Sequence, residues 1–93
     1  MLKERFIMKL KSEFITQNVE DTQFLVPVGS DAFSGVVRSN RTAAFIVDCL
    51  KNETTKDEIV DAMCQKYSVA REVVAQDVDR ILDFLRKIDA IEE

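Results

Sequence analysis

The sequence predicts an α+β fold in which an N-terminal three-stranded antiparallel sheet is followed by three helices. Three observations carry this. Up to residue 38 the chain is cut into short runs rich in β-branched and aromatic residues; from Asn40 onward apolar side chains recur at helical spacing; and between residues 35 and 46 one pattern passes into the other through a polar cap.

Phe14-Ile15-Thr16-Gln17-Asn18-Val19 is the first strand, closed by the turn-forming Glu20-Asp21-Thr22. The second run covers 23–29 and contains Pro27, which cannot donate to a ladder, so its pairing should be incomplete or end there. Residues 29–35 hold both glycines of the chain and read as a loop. Val36, Val37 and Arg38 form a third, short strand. Short connections favour an antiparallel meander, which needs a covering layer on one face.

The helices supply that layer. Asn40 is a suitable N-cap for a helix over 41–51 with Phe45, Ile46, Cys49 and Leu50 as its apolar stripe, and Asn52 is a candidate left-handed cap at its end. Thr55 and Glu58 stand at capping-box spacing, with Asp57 and Glu58 where the helix dipole favours acids. Ile59, Val60, Met63, Cys64 and Tyr67 form the second stripe. The third helix is the most periodic segment, with Val74, Val78, Ile81, Leu82, Leu85 and Ile88 on one face and Asp83 placed to pair with Lys87.

Ninety-three residues with 46% hydrophobic and 32% charged side chains describe one ordinary globular domain. Met8 begins a plausible domain over 8–93, and residues 1–7 read as a flexible extension. A net charge of −4, from 17 acidic and 13 basic residues, repels polyanions and argues against nucleic acid. There is no run long enough for a membrane span and no signal peptide, so a cytoplasmic location is expected. The chain has no histidine and two cysteines, each spaced with apolar neighbours on a helix, which fits buried thiols better than a metal site. Without histidine, an activated nucleophile or a phosphate-binding glycine loop, neither catalysis nor a cofactor is expected.

Three readings remain. An exposed edge strand can accept an extended peptide as an added strand, and the run Val36 to Arg38 is the candidate; the same strand can equally be an ordinary edge kept safe by its shortness. Three helices and a small sheet also describe a winged-helix DNA binder, although the last helix mixes acidic and basic residues. A structural or dimerisation module is the third reading.

Met8-Lys9-Leu10-Lys11, Phe14-Ile15, Phe24-Leu25-Val26-Pro27, Asn40-Arg41-Thr42-Ala43-Ala44-Phe45-Ile46, Thr55 to Ile59, Tyr67-Ser68-Val69 and Asp77-Val78 to Leu85 together resemble, in order and spacing, the PqqD family of pyrroloquinoline quinone biosynthesis. The resemblance implies a winged-helix-like fold and a non-catalytic adaptor. Such an adaptor binds the leader segment of a ribosomally made precursor peptide by strand addition and presents it to a modifying enzyme, often a radical S-adenosylmethionine enzyme. Carried onto this chain, the peptide-binding residues would be Val36, Val37 and Arg38 on the strand and Val74, Asp77, Val78, Arg80, Ile81, Phe84 and Leu85 on the last helix. Because strand side chains alternate, only one of Val36 and Val37 should face the groove; Arg80 and Phe84, a helical turn apart, are the favoured contacts.

Three positions depart from the family pattern: Ser39, where leucine is common before the asparagine; Val47, where an aromatic is common; and Ala70, where a capping serine is usual. They imply a weaker strand-to-helix contact, a smaller core, a looser start to the last helix, and a cargo that need not resemble the quinone precursor.

Overall fold

The computed structural model describes residues 7–28 and 35–93. The loop assigned to 29–35 and the extension assigned to 1–7 therefore lie almost wholly outside the described residues; Ile7 is exposed. In chain order the elements are β1 (Lys9–Leu10), β2 (Phe14–Val19), β3 (Thr22–Pro27), β4 (Val37–Ser39), α1 (Arg41–Cys49), α2 (Lys56–Lys66), α3 (Arg71–Lys87) and β5 (Ile91–Glu92). The three-stranded antiparallel sheet has the order β2-β3-β4, and β1 pairs with β5 in a second, two-stranded sheet.

β2 and β3 make a hairpin in register Phe14↔Pro27 to Val19↔Thr22, closed by Glu20 and Asp21 with Glu20 at φ 56°. Pro27 falls at the last position of β3, where its missing amide breaks no interior rung. β4 pairs with β3 only over Gln23↔Ser39 to Leu25↔Val37, so the third strand is shifted one residue beyond the expected Val36 to Arg38.

The inner sheet face, including Phe14, Leu25 and the half-buried Val37, packs with the apolar stripes of the helices around Ile46, Leu50, Ile59, Val78, Leu82 and Leu85. Val47, absent from the expected stripe of α1, is fully buried, whereas Phe45 and Cys49 are only half-buried. Cys64, Tyr67 and Ile81 likewise sit at the core margin.

Helix ends explain several departures from expectation. Asn40 caps α1 by accepting the Ala43 amide at 2.8 Å, and Thr55 and Glu58 form the reciprocal capping box of α2. Asn52 is not a left-handed cap; the described non-glycine residues with positive φ are Glu20 and Asp89. The end of α1 needs no such residue, because the Leu10 amide donates to the Leu50 carbonyl at 2.8 Å and Met8 and Thr54 exchange two backbone bonds.

The left-handed cap belongs instead to α3. Asp89, at φ 62°, lets the Ala90 amide reach Leu85 O and the Asp89 amide reach Arg86 O, a complete Schellman motif made without glycine. That reversal sends β5 back onto β1, and Lys11 Nζ closes the turn on Asp89 Oδ1 at 2.6 Å. Asp83 pairs with Arg86, not with Lys87 as its spacing suggested. Ala70 stands at the N-cap of α3 with no side-chain bond, as its identity requires.

Candidate functional site

β4 is an edge of the main sheet, so among the described residues no strand pairs along its outer side. Beside it runs a groove of about 210 Å3 whose floor and far wall come from α1 and α3. Local sequence explains this placement. Asn40 stops β4 and starts α1 in one step, which sets the strand against the first turns of α1, while the core residues of α3 anchor that helix alongside.

Five of the residues expected to bind peptide line the groove: Val37, Arg38, Ile81, Phe84 and Leu85. Of the two valines, Val37 faces inward opposite Leu25; Val36 precedes β4, is 60% exposed and does not line the groove. Val74 and Val78 are sealed in the core at 3% and 0% exposure, so the helix stripe that looked like a groove wall is mostly a packing face. Asp77 and Arg80 lie off the groove and hold each other at 2.9 Å. Of the two favoured contacts, Phe84 borders the groove with 41% of its surface exposed, and Arg80 does not.

Leu25, Ser39, Asn40, Ala43 and Val47 also line the groove, and none was assigned to it from the sequence. Two of them, Ser39 and Val47, are departures from the PqqD pattern, and that was the available signal. Ser39 brings a smaller side chain to the groove than leucine would, and Val47 a smaller one than an aromatic residue would.

The α3 face carries little free positive charge. Arg71 is bonded to Asp61, Arg80 to Asp77, and Arg86 to both Asp83 and Glu93. The Glu93 and Asp83 contacts hold the Arg86 guanidinium above its usual range, as Asp61 does for Arg71. Cys49 is no nucleophile candidate: burial, and then the neighbouring Asp48 charge, push its thiol up, away from the reactive thiolate. Among the described residues no group of three histidine, cysteine or acidic side chains could hold a metal, and no helix is long and apolar enough to cross a membrane.

The family model described as Coenzyme PQQ synthesis protein D (PqqD) matches residues 6–91. The chain belongs to the PqqD family. This PqqD-family chain is also similar to a solved structure described as TbiB1 in complex with the TbiA(beta) leader peptide, with a TM-score of 0.77, 24% identity, and coverage of 90% of this chain and 94% of that one. At that identity the likeness speaks for the fold: the α+β, winged-helix-like arrangement of a three-stranded sheet and three helices. No curated protein matches the chain.

Proposed function

We propose that this protein is a non-catalytic adaptor that binds the leader segment of a ribosomally made precursor peptide as an added strand on β4 and presents it to a modifying enzyme. The observation that carries this is the edge of β4, unpaired among the described residues, lying directly beside an apolar groove bordered by Phe84 and Ile81. Backbone pairing along the edge supplies affinity for any extended peptide, and the groove selects side chains. Membership of the PqqD family and the fold shared with a protein solved with a leader peptide support the same reading.

The binding residues of this reading are Val37, Arg38, Ile81, Phe84 and Leu85, with Leu25, Ser39, Ala43 and Val47 completing the groove. Each ladder bond contributes roughly 0.5–1.5 kcal/mol net and each buried aliphatic anchor about 1.5–3 kcal/mol, before the cost of ordering the peptide. A dissociation constant near micromolar follows, about 8 kcal/mol. The smaller side chains of Ser39 and Val47 suit a cargo different from the quinone precursor. The enzyme partner belongs to the peptide-modifying class, radical S-adenosylmethionine enzymes among them, and the encounter takes place in the cytoplasm.

DNA binding fits this surface poorly, because the arginines of α3 are each held by a carboxylate. Labelled duplex DNA and peptides encoded beside this gene, titrated in parallel at two salt concentrations, test the proposal. Peptide binding with shallow salt dependence supports it, and steeply salt-dependent DNA binding without peptide binding overturns it.

A further inference from the structure

Which backbone groups of β4 face the open edge follows from one hydrogen bond at the other side of the sheet. The Val28 amide donates to the Glu13 carbonyl at 2.6 Å, and in the register of β2 with β3 these two residues stand directly opposite. Along an antiparallel ladder, opposed pairs that share bonds alternate with opposed pairs that share none. Val26, Phe24 and Thr22 therefore turn their amides and carbonyls to β2, whereas Gln23 and Leu25 turn theirs to β4. A two-residue hairpin loop closes on a bonded pair, here Val19 and Thr22, which has the same phase.

The partners of Gln23 and Leu25 are Ser39 and Val37, so these two residues of β4 direct their backbone groups to β3. Arg38 lies between them, opposite Phe24, with the reverse phase. Its amide and carbonyl point to the open side, and neither bonds to another described residue. Of the three residues of β4 it alone presents both groups. The side chains have the opposite assignment. Val37 and Ser39 share the helix side with their partners Leu25 and Gln23, and the exposed Arg38 side chain stands on the outer face with Phe24.

We propose that Arg38 sets a three-residue frame in which the bound peptide is read. The peptide runs antiparallel to β4, as both existing ladders of the sheet do, because one peptide residue then closes both bonds with Arg38. That residue cannot be proline, and its side chain points away from the groove, beside that of Arg38. The residues before and after it stand opposite Ser39 and Val37 and direct their side chains into the groove. The following residue meets Val37 and its neighbour Leu25, an apolar site; the preceding one meets Ser39, with Asn40 and Ala43 next to it in the chain and in the groove lining. The peptide class is thus an extended segment in which a non-proline residue of any polarity precedes a large apolar one. This rests on the leader-binding reading and supplies its sequence rule. A parallel strand would bridge Arg38 with two residues whose side chains both enter the groove, so backbone and side-chain demands would fall on the same positions.

Two measurements test the frame. In the free protein, hydrogen exchange followed by NMR and corrected for sequence should be several-fold faster at the Arg38 amide than at those of Val37 and Ser39. Equal rates, or a slower Arg38, would overturn the edge phase without any peptide being involved. Overlapping peptides covering the leader encoded beside this gene are then titrated by fluorescence anisotropy, and the tightest binder is scanned by N-methylation and by alanine. At the residue opposite Arg38, N-methylation should weaken binding about tenfold or more and alanine less than about twofold; the following residue should show the reverse. Both sensitivities on one residue would indicate a parallel strand and overturn the frame. So would binding indifferent to N-methylation everywhere, which needs no strand pairing. Failure of every peptide to bind would overturn the leader-binding reading and the frame with it, while the exchange rates alone would still report the phase of β4.

Discussion

Phe84 divides its surface between the fold and the groove, and Phe84→Ala separates the two contributions. The side chain is 41% exposed in the free protein. A phenylalanine buries roughly 150–250 Å2 when fully covered, so a bound peptide can cover at most about 60–100 Å2 of it. At about 25 cal/mol per Å2 that is about 1.5–2.5 kcal/mol, or roughly 10- to 70-fold in Kd. The part already shielded, about 90–150 Å2, contributes about 2–4 kcal/mol to folding by the same coefficient. A domain of this size has about 5–14 kcal/mol of stability, so the variant stays folded at low temperature. Fluorescence anisotropy with a labelled leader peptide measures the first quantity, and urea unfolding measures the second. If stability falls by the calculated amount while Kd stays within about twofold, Phe84 is a packing residue only and the groove assignment is wrong.

Ala70→Ser should stabilise the protein by about 1 kcal/mol, seen as a higher urea midpoint at unchanged slope, because the N-cap of α3 lacks a side-chain acceptor. With an acidic peptide, Arg38→Glu should weaken binding and flatten its salt dependence more than Arg80→Glu does, since Arg38 lines the groove and Arg80 is already held by Asp77; equal effects in isothermal titrations at two salt concentrations would argue against this placement of charge. Burial, with Asp48 second, raises the Cys49 thiol in the folded state, so the unfolded chain releases that proton first as pH rises. Its contribution is complete below the ordinary thiol range and is lost as pH climbs through the folded value. Thermal midpoints of Cys49→Ala should accordingly fall less steeply with alkaline pH than those of the parent protein.

Elements whose residues repeat a local rule were legible in the sequence. The caps of α1 and α2 follow from Asn40 and from the Thr55/Glu58 pair, and the body of α3 follows from its apolar spacing. β1 and β5 were not, because two-residue strands have no periodicity and exist only through contacts between opposite ends of the chain. The same long-range contacts explain Asn52 and Asp89. The Leu10 amide removes the need for a cap at the first, and the return of β5 demands one at the second.

The groove was half legible, for a related reason. Helical spacing identifies the buried face of α3, which holds Val74 and Val78, but not the flank beside it where Phe84 borders the groove. Strand alternation limits the choice to one of Val36 and Val37, and pairing with Leu25 decides for Val37. Leu25, Ala43 and Val47 reach the groove only because β3, α1 and α3 meet there, which no local pattern records.

Addition of a peptide strand to β4 is most directly tested by an amide NMR titration with a leader peptide encoded beside this gene. The largest shifts should fall on Val37, Arg38 and Ser39 and on Ile81 and Phe84, with new protection from hydrogen exchange at the outer amides of β4. Shifts confined to the outer surfaces of α1 and α2, with β4 exchange unchanged, would contradict it.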